Sequence, residues 1–348
     1  TIQRFPVVDQ CGLRGAALWY DVRITRPQRL IIEMLRWACR CGAQALNYLQ
    51  ATDVSIENNR VVGLSAIDRL TKQKHHFRAP LIINCAGPWV KELASNWDAC
   101  TARELFQPIL AFNVFFDRPA LADEALAVTT PGCDKRAWFL TSLQGRLFAG
   151  TDYVSCREEI RDQPHKHELE RFVESINLAV PQLNLSANDV LRVYAGLLPS
   201  GHLGSRYPEK TPRIWHHGLQ GGPTGLVSVI GVKYTTARAI AERTLREIFS
   251  NYELHTTRDQ SVRYPDRSDA SDYLEDVNLA DASSAESADA DKLQHWLVRC
   301  VRDEAATCAE DILYRRTDWG CDPRTVDLLI KRISTVMNRI DLDAERRK

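Results

Sequence analysis

The chain carries no surplus of either charge. Lys and Arg total 45, Asp and Glu total 45, and the formal net charge is zero. This excludes a strongly basic nucleic-acid binder or a polybasic membrane binder as the default reading. Long apolar runs are also missing. None reaches the roughly 18 residues that a membrane-spanning helix needs. The amino terminus, Thr1–Phe5, has no signal-peptide pattern and no initiator Met, so the sequence is expected to start inside a longer reading frame. No Cys-x-x-Cys occurs. The ten cysteines are scattered and read as reduced, mostly buried thiols of a cytoplasmic protein. Glycine is scarce, 17 of 348 residues, about 5% against a usual 7% or so. There is no G-x-G-x-x-G, H-E-x-x-H, G-x-S-x-G or P-loop. A complete dinucleotide fingerprint, a zincin helix, a hydrolase elbow and a nucleotide-triphosphate loop are thereby excluded from these residues.

What is present is ordinary globular material: 44% hydrophobic and 26% charged. At roughly 150 residues per domain, the length suggests two domains and an appendage. The spacing predicts a helix from Thr25 to Gly42, with Leu30, Ile31, Met34, Leu35 and Ala38 on one face and Pro27 in its first turn. Ala16–Tyr20 and Ala43–Tyr48 read as flanking strands, which makes a β–α–β unit. Three strands follow, Asp53–Glu57, Arg60–Ile67 and Lys74–Ala79, with Asn58-Asn59 suited to a tight turn. Leu81–Asn84 reads as a strand buried on both faces and ends in the small residues of Cys85–Trp89.

Strand patterns fill 103–154, including Val114–Phe116 and Arg146–Thr151. A helix over 166–180 carries Leu169, Phe172, Val173 and Ile176. Val190–Tyr194 and Gly225–Gly231 read as strands. A helix from Tyr234 to Phe249 faces Ala237, Ile240, Ala241, Leu245 and Ile248 inward. Residues 266–291, rich in Asp, Ala and Ser, read as a linker. Two helices close the chain. The first carries Leu293, Trp296, Leu297, Cys300, Val301, Cys308 and Ile312, and the second begins at Asp322-Pro323. This order of elements matches the latter part of a flavin-binding domain with an inserted substrate domain.

Specific motifs then fall in register. They are Gly15–Asp21 with Arg29-Leu30, Gly42–Tyr48, Asn84–Trp89, Gly150–Asp152, Tyr194–Pro199, Gly231–Arg238 and Arg315–Thr317. Together they resemble the FAD-dependent glycerol-3-phosphate dehydrogenase family of D-amino-acid-oxidase-like flavoenzymes, over nearly the whole sequence. The fold class implied is mixed α/β: an incomplete Rossmann-like FAD-binding domain, an inserted antiparallel substrate domain and a helical appendage. Residues 1–100 would be the remainder of the FAD-binding domain with its meander. Residues 101–200 would form the substrate domain, 201–265 the return to the FAD-binding domain, 266–291 the linker and 292–348 the helical domain. Such proteins open with strand–G-x-G-x-x-G–helix, so roughly the first third of a family member is expected to be missing here.

The resemblance implies FAD as cofactor, oxidation of a secondary alcohol such as that of sn-glycerol 3-phosphate, and quinone or oxygen as electron acceptor. It also implies docking on the cytoplasmic face of a membrane. It places Ala86, Gly87, Trp89, Gly196, Gly231, Val232, Lys233, Tyr234 and Thr235 at the cofactor, and Lys233 and Arg213 on a small anionic substrate. The turn before the 234–249 helix offers free N–H groups and a positive dipole end to a reduced flavin. A planar guanidinium at Arg213 suits a phosphate.

Departures stand beside these matches. Val232 replaces a second glycine, Leu197 or Leu198 stands where the dehydrogenases carry Arg, and Asn113 stands where a His is common. No catalytic base is named and no metal site is expected. His165 and His167 read as solvated, His75-His76 and His216-His217 as polar-loop pairs, and Arg315-Arg316 as a salt-bridged structural pair. Two alternatives stay open. One is a related flavoprotein oxidase of another hydroxy acid or amine, and the other is a non-catalytic remnant that keeps the fold.

Overall fold

The computed structural model describes residues 1–11, 13–24, 26–95, 105–130, 137–156, 161–201, 205, 207–251 and 288–345. The chain divides into two compact units. One comprises Thr1–Ala17 with Tyr48–Thr256, the other Leu18–Asn47 with Thr257–Lys348.

Among the described residues the first unit contains three sheets. Strands β1 (Leu49–Glu57), β2 (Arg60–Asp68) and β3 (Lys74–Arg78) form the expected antiparallel meander. Asn58 and Asn59 turn the first hairpin with φ of 49° and 59°. Asn tolerates this left-handed backbone because its short polar side chain can bond locally. A second sheet has the order β10–β11–β4, built from β4 (Ile82–Asn84), β10 (Arg213–His216) and β11 (Leu226–Ile230). In it β11 runs parallel to β4 and antiparallel to β10. β4 ends the described sheet, and Ile83 is 37% exposed, so the strand is not buried on both faces as expected.

The third sheet has the order β6–β7–β8–β5–β9, all antiparallel. Its members are β5 (Gln107–Pro119), β6 (Leu126–Thr129), β7 (Ala137–Leu143), β8 (Arg146–Ser155) and β9 (Val190–Ser200). Alternate residues Phe112, Val114 and Phe116 of β5 point to one face, as the period of two demands. The helix Lys166–Ala179 packs there through Phe172, Val173 and Ile176. Phe172 meets Phe112 at 5.4 Å and the edge of Trp138 at 5.2 Å between ring centroids. The Trp138 indole N–H donates to Thr130 Oγ1 at 2.8 Å, which satisfies the one polar atom of that ring.

The second unit is helical. We number its helices and those of the first unit in chain order: α1 Pro27–Arg40, α2 Val90–Ser95, α3 Lys166–Ala179, α4 Ala237–Asn251, α5 Ala288–Glu304, α6 Ala309–Arg315 and α7 Pro323–Glu345. Leu297, Cys300, Ile312, Leu313 and Ile333 form the core of α5–α7. Burial, then the Glu304 carboxylate, pushes the Cys300 thiol pKa far up, so it stays a neutral packing group. Arg29 of α1 donates both Nη atoms to Glu304, at 2.8 and 2.7 Å, and Arg316 donates Nε to the same carboxylate at 3.1 Å.

Several sequence expectations are corrected. Ala16–Tyr20 and residues 43–47 form no strand, and no β–α–β unit assembles around α1. A strand exists only where a neighbour takes its hydrogen bonds, and among the described residues none pairs with either segment. No α1 residue is fully buried; Leu30, Ile31, Met34 and Leu35 remain partly exposed. The inward stripe of α4 is Ile240, Thr244 and Ile248, and Ala237, Ala241 and Leu245 are exposed. Thr244 fits that stripe because its hydroxyl donates to Ile240 O at 2.8 Å.

The first C-terminal helix is two helices. The break falls at Ala305, with φ of 52°, and the Asp311 carboxylate accepts from Thr307 N at 2.8 Å to start α6. α5 begins at Ala288, inside the expected linker; residues 266–287 lie outside the described residues, as do Thr25, Cys100 and Cys133. Among the eight described cysteines, all free thiols, Cys11, Cys39, Cys41 and Cys85 are exposed, so the thiols are not mostly buried. Arg316 is salt-bridged as expected, and Arg315 is exposed.

Phe172 anchors the largest core, so Phe172→Ala is expected to lower unfolding free energy by about 3–5 kcal/mol. A urea titration followed by circular dichroism measures this; a loss under about 1 kcal/mol would contradict the packing described.

Candidate functional site

The parallel register of β4 and β11 sets the site. Ile82 pairs with Leu226, Ile83 with Val227 and Asn84 with Ser228. Both strands therefore end on the same side. Asn84 leads into Cys85, Ala86 and the 3₁₀ turn Gly87–Trp89; Ile230 leads into Gly231–Lys233 and the 3₁₀ turn Tyr234–Thr236 before α4. The carboxyl ends of adjacent parallel strands are where open α/β sheets hold ligands.

A buried polar chain pins the first of these loops. His217 Nε2 and Ser228 Oγ lie 2.9 Å apart. Asn84 Nδ2 donates to Ser228 Oγ at 3.4 Å and to Val90 O at 3.2 Å, and Asn84 Oδ1 accepts from Ala86 N at 3.3 Å. Gly87 has φ of 57°, a backbone that a side chain would strain. Trp89 is 63% exposed. The turn Gly87–Trp89 packs beside β9, which carries Gly196.

The second loop is open. A Cβ built at Gly231 or Gly196 would meet nothing within 4 Å. Lys233, Tyr234 and Thr235 are exposed and Val232 is half-buried. Thr236 N and Oγ1 both donate back to Lys233 O, at 3.1 and 2.9 Å, closing the turn. Partial burial holds the Tyr234 hydroxyl above its ordinary pKa, so it remains protonated.

Arg213 lies opposite Ile230 across the β10–β11 pair, next to the start of the Lys233 loop. Its guanidinium already donates to Leu105 O at 3.3 Å and Glu209 Oε2 at 3.4 Å. The structure thus gathers Ala86, Gly87 and Trp89, the Gly231–Thr235 loop and the Arg213 backbone at one end of one sheet. It leaves the Arg213 side chain engaged elsewhere.

Sequence reasoning missed one convergence. Asn113 of β5 pairs with Gly150 of β8 on one side and Tyr194 of β9 on the other. Thr151 Oγ1 donates to Asn113 Oδ1 at 2.9 Å. Three motifs far apart in sequence meet on neighbouring strands, and only their shared register could have signalled it. A second correction concerns the histidines. His75 and His76 lie on β3, His216 ends β10, and His216 and His217 are buried rather than looped. Burial is tolerated because Glu247 and Ser228 supply partners. His165 and His167 are exposed, as expected; His165 caps α3 and stacks on His167 at 5.6 Å. Among the described residues no group of His, Cys, Asp and Glu could hold a metal ion.

An FAD ring is compatible with these loops. Small residues and open space at Gly231 and Gly196 admit a flat group to the backbone, and a helical turn starts at Tyr234. The pyrophosphate half has no glycine-rich loop among the 348 residues.

Residues 1–245 match the family described as DAO, FAD dependent oxidoreductase. The chain belongs to this family. Among its curated relatives is the aerobic glycerol-3-phosphate dehydrogenase of Bacillus subtilis (strain 168), 30% identical over 248 residues, which are 70% of this chain and 43% of the relative. The protein of the same name from Staphylococcus aureus (strain MRSA252) is 26% identical over the same shares. The chain thus spans less than half the length of these relatives. The FAD-complexed glycerol-3-phosphate dehydrogenase of Bacillus halodurans superposes with a TM-score of 0.71 at 20% identity, covering 99% of this chain and 77% of that one. That likeness bears on the fold.

Electrostatics near the site are testable at Glu247 of α4, which faces His216 Nε2 at 3.3 Å and accepts from Arg243 at 2.7 Å. Burial alone would raise this carboxyl, but the hydrogen bonds and charges of Arg243 and His216 outweigh it and hold the pKa below its ordinary value. A depressed folded pKa stabilises above the unfolded value, and that stability is lost as pH falls through the folded one. Glu247→Gln is expected to cost under about 1 kcal/mol at pH 7. Its melting temperature should fall less steeply than wild type below about pH 4.5; parallel curves would contradict the assignment.

Proposed function

We propose that this chain supplies the substrate-facing part of a flavin enzyme that oxidises the secondary alcohol of glycerol 3-phosphate or a close phosphorylated analogue. Electrons would leave to quinone or oxygen. The observation that carries the reading is the Lys233 loop issuing beside the Ala86–Gly87 loop from adjacent parallel strands.

FAD, when bound, supplies a hydride acceptor. Ala86, Gly87, Trp89, Gly196 and the Gly231–Thr235 loop would line it, within a flavin-binding part that holds the β10–β11–β4 sheet. The N–H groups at the start of the Tyr234 turn favour negative charge there. The Lys233 ammonium, exposed and on a flexible stem, would hold the anionic end of the substrate. Arg213 would join it by exchanging Glu209 for the ligand. No side chain is assigned as proton acceptor: Asn113 stands where the family resemblance expects His, and a carboxamide takes no proton at neutral pH. The described residues include no helix long and apolar enough to cross a membrane.

A second reading rests on one observation, the absence of a glycine-rich pyrophosphate loop from the sequence. On this reading the chain keeps the fold and does not retain FAD unaided. Titration with FAD, followed by flavin absorbance and fluorescence, separates the two. Retained flavin with glycerol 3-phosphate-dependent dye reduction supports the enzyme; a chain that stays colourless supports the remnant. Lys233→Ala is expected to lower kcat/KM by tenfold or more, in line with a lost charge-assisted bond of about 1.5–3 kcal/mol. Wild-type kcat/KM in that variant would remove Lys233 from the substrate site.

A further inference from the structure

We infer that His217 and Ser228 are positioning residues of the flavin site, which hold the 86–89 loop in shape through Asn84 without touching the cofactor themselves. The inference rests on the reading of that loop as flavin-facing. Both side chains are 0% exposed, so no bound group reaches them.

Neither residue serves packing alone. β11 reads Leu-Val-Ser-Val-Ile, and an apolar residue in place of Ser228 would continue that strand. A buried hydroxyl or imidazole costs free energy unless it is hydrogen-bonded. The two meet each other, with His217 Nε2 2.9 Å from Ser228 Oγ. His217 opens the short turn that follows β10, so the pair ties that turn to the middle strand of the sheet.

The contact has a direction that ends at the loop. A carboxamide can stand either way round, but the backbone settles Asn84. Its Oδ1 faces Ala86 N, which only donates, and its Nδ2 faces Val90 O, which only accepts. Nδ2 is therefore also the atom turned to Ser228, and Ser228 Oγ accepts from it at 3.4 Å. A serine hydroxyl rotates until a partner fixes it. His217 supplies a partner that keeps the oxygen toward Asn84. The bonds of Asn84 are long, 3.2, 3.3 and 3.4 Å, so they depend closely on how its carboxamide is aimed. With Asn84 held, one side chain spans the loop from Ala86 N to Val90 O. Between those atoms lie Gly87, with its left-handed backbone, and the exposed Trp89. A loop containing such a glycine has several backbone shapes open to it unless something selects one.

Amide exchange of the full chain followed by NMR, together with FAD titration, tests this. Ser228→Ala removes the acceptor, His217→Leu removes its partner, and His217→Gln keeps a polar group. Each of the first two is expected to speed Ala86 N–H exchange about fivefold and to weaken FAD binding about fivefold, the worth of one buried bond. Exchange across β5, β8 and β9 should stay within about twofold of wild type, which a merely structural loss would not spare. His217→Gln should restore most of both effects. The double variant Ser228→Ala, His217→Leu should be no worse than Ser228→Ala alone, because the two residues act in series. Ser228→Ala, the smaller change, decides the matter if His217→Leu does not fold. A wild-type chain that takes up no FAD defeats the flavin reading of the loop and this proposal with it. FAD held equally by wild type and Ser228→Ala, or exchange accelerated evenly through the first unit, overturns the proposal alone.

Discussion

The pairing of β4 with β11 is the constraint on which the site depends. Asn84 and Ser228 sit side by side although 144 residues separate them. Closing a loop of that length costs about 4 kcal/mol by chain statistics, apart from a constant. The chain lowers this burden by folding the intervening residues into their own sheet, where β7–β8 is a local hairpin and β5 gathers β8 and β9. Three residue pairs would hold β4 weakly. The His217–Ser228–Asn84 chain adds directional bonds at the strand ends, in a buried setting where an unmade bond is costly. The consequence for function is local: the two loops cannot slip past each other without breaking buried bonds.

The helical unit rests on a different principle. Glu304 lies buried at the end of α5, and the arginines of α1 and the segment after α6 converge on it. Such a cluster adds little net stability over apolar packing but penalises every arrangement that strands a charge. It therefore selects one docking of α1 against α5 and α6. Apolar contact alone would select poorly, because Leu30, Ile31, Met34 and Leu35 are all partly exposed.

Much of the fold was legible because its signals are local. Asn58-Asn59, the alternation in β5 and the Phe172 stripe each follow from backbone sterics or from one period of burial. The failures share a cause. Ala16–Tyr20 and Ala43–Tyr48 have strand-like composition, but a strand needs a neighbour, and the sequence does not say whether one is within reach. Leu245 satisfies the α4 period and stays exposed, while Thr244 is buried, its hydroxyl bonded back to Ile240 O. The α5–α6 break escaped notice because Ala305 is a residue type that favours helix, yet its backbone is left-handed.

The candidate site divides along the same line. Small residues after two apolar strands, and a lysine before a helix, are readable one motif at a time, since close backbone approach and helix-end electrostatics depend only on neighbours in sequence. That both segments leave adjacent strands in the same direction, that Arg213 turns its guanidinium to Glu209, and that Asn113 meets Gly150 and Tyr194 were decided by the folded chain. Pairing across more than thirty residues is selected by the whole set of buried contacts, and no short stretch of sequence carries that sum.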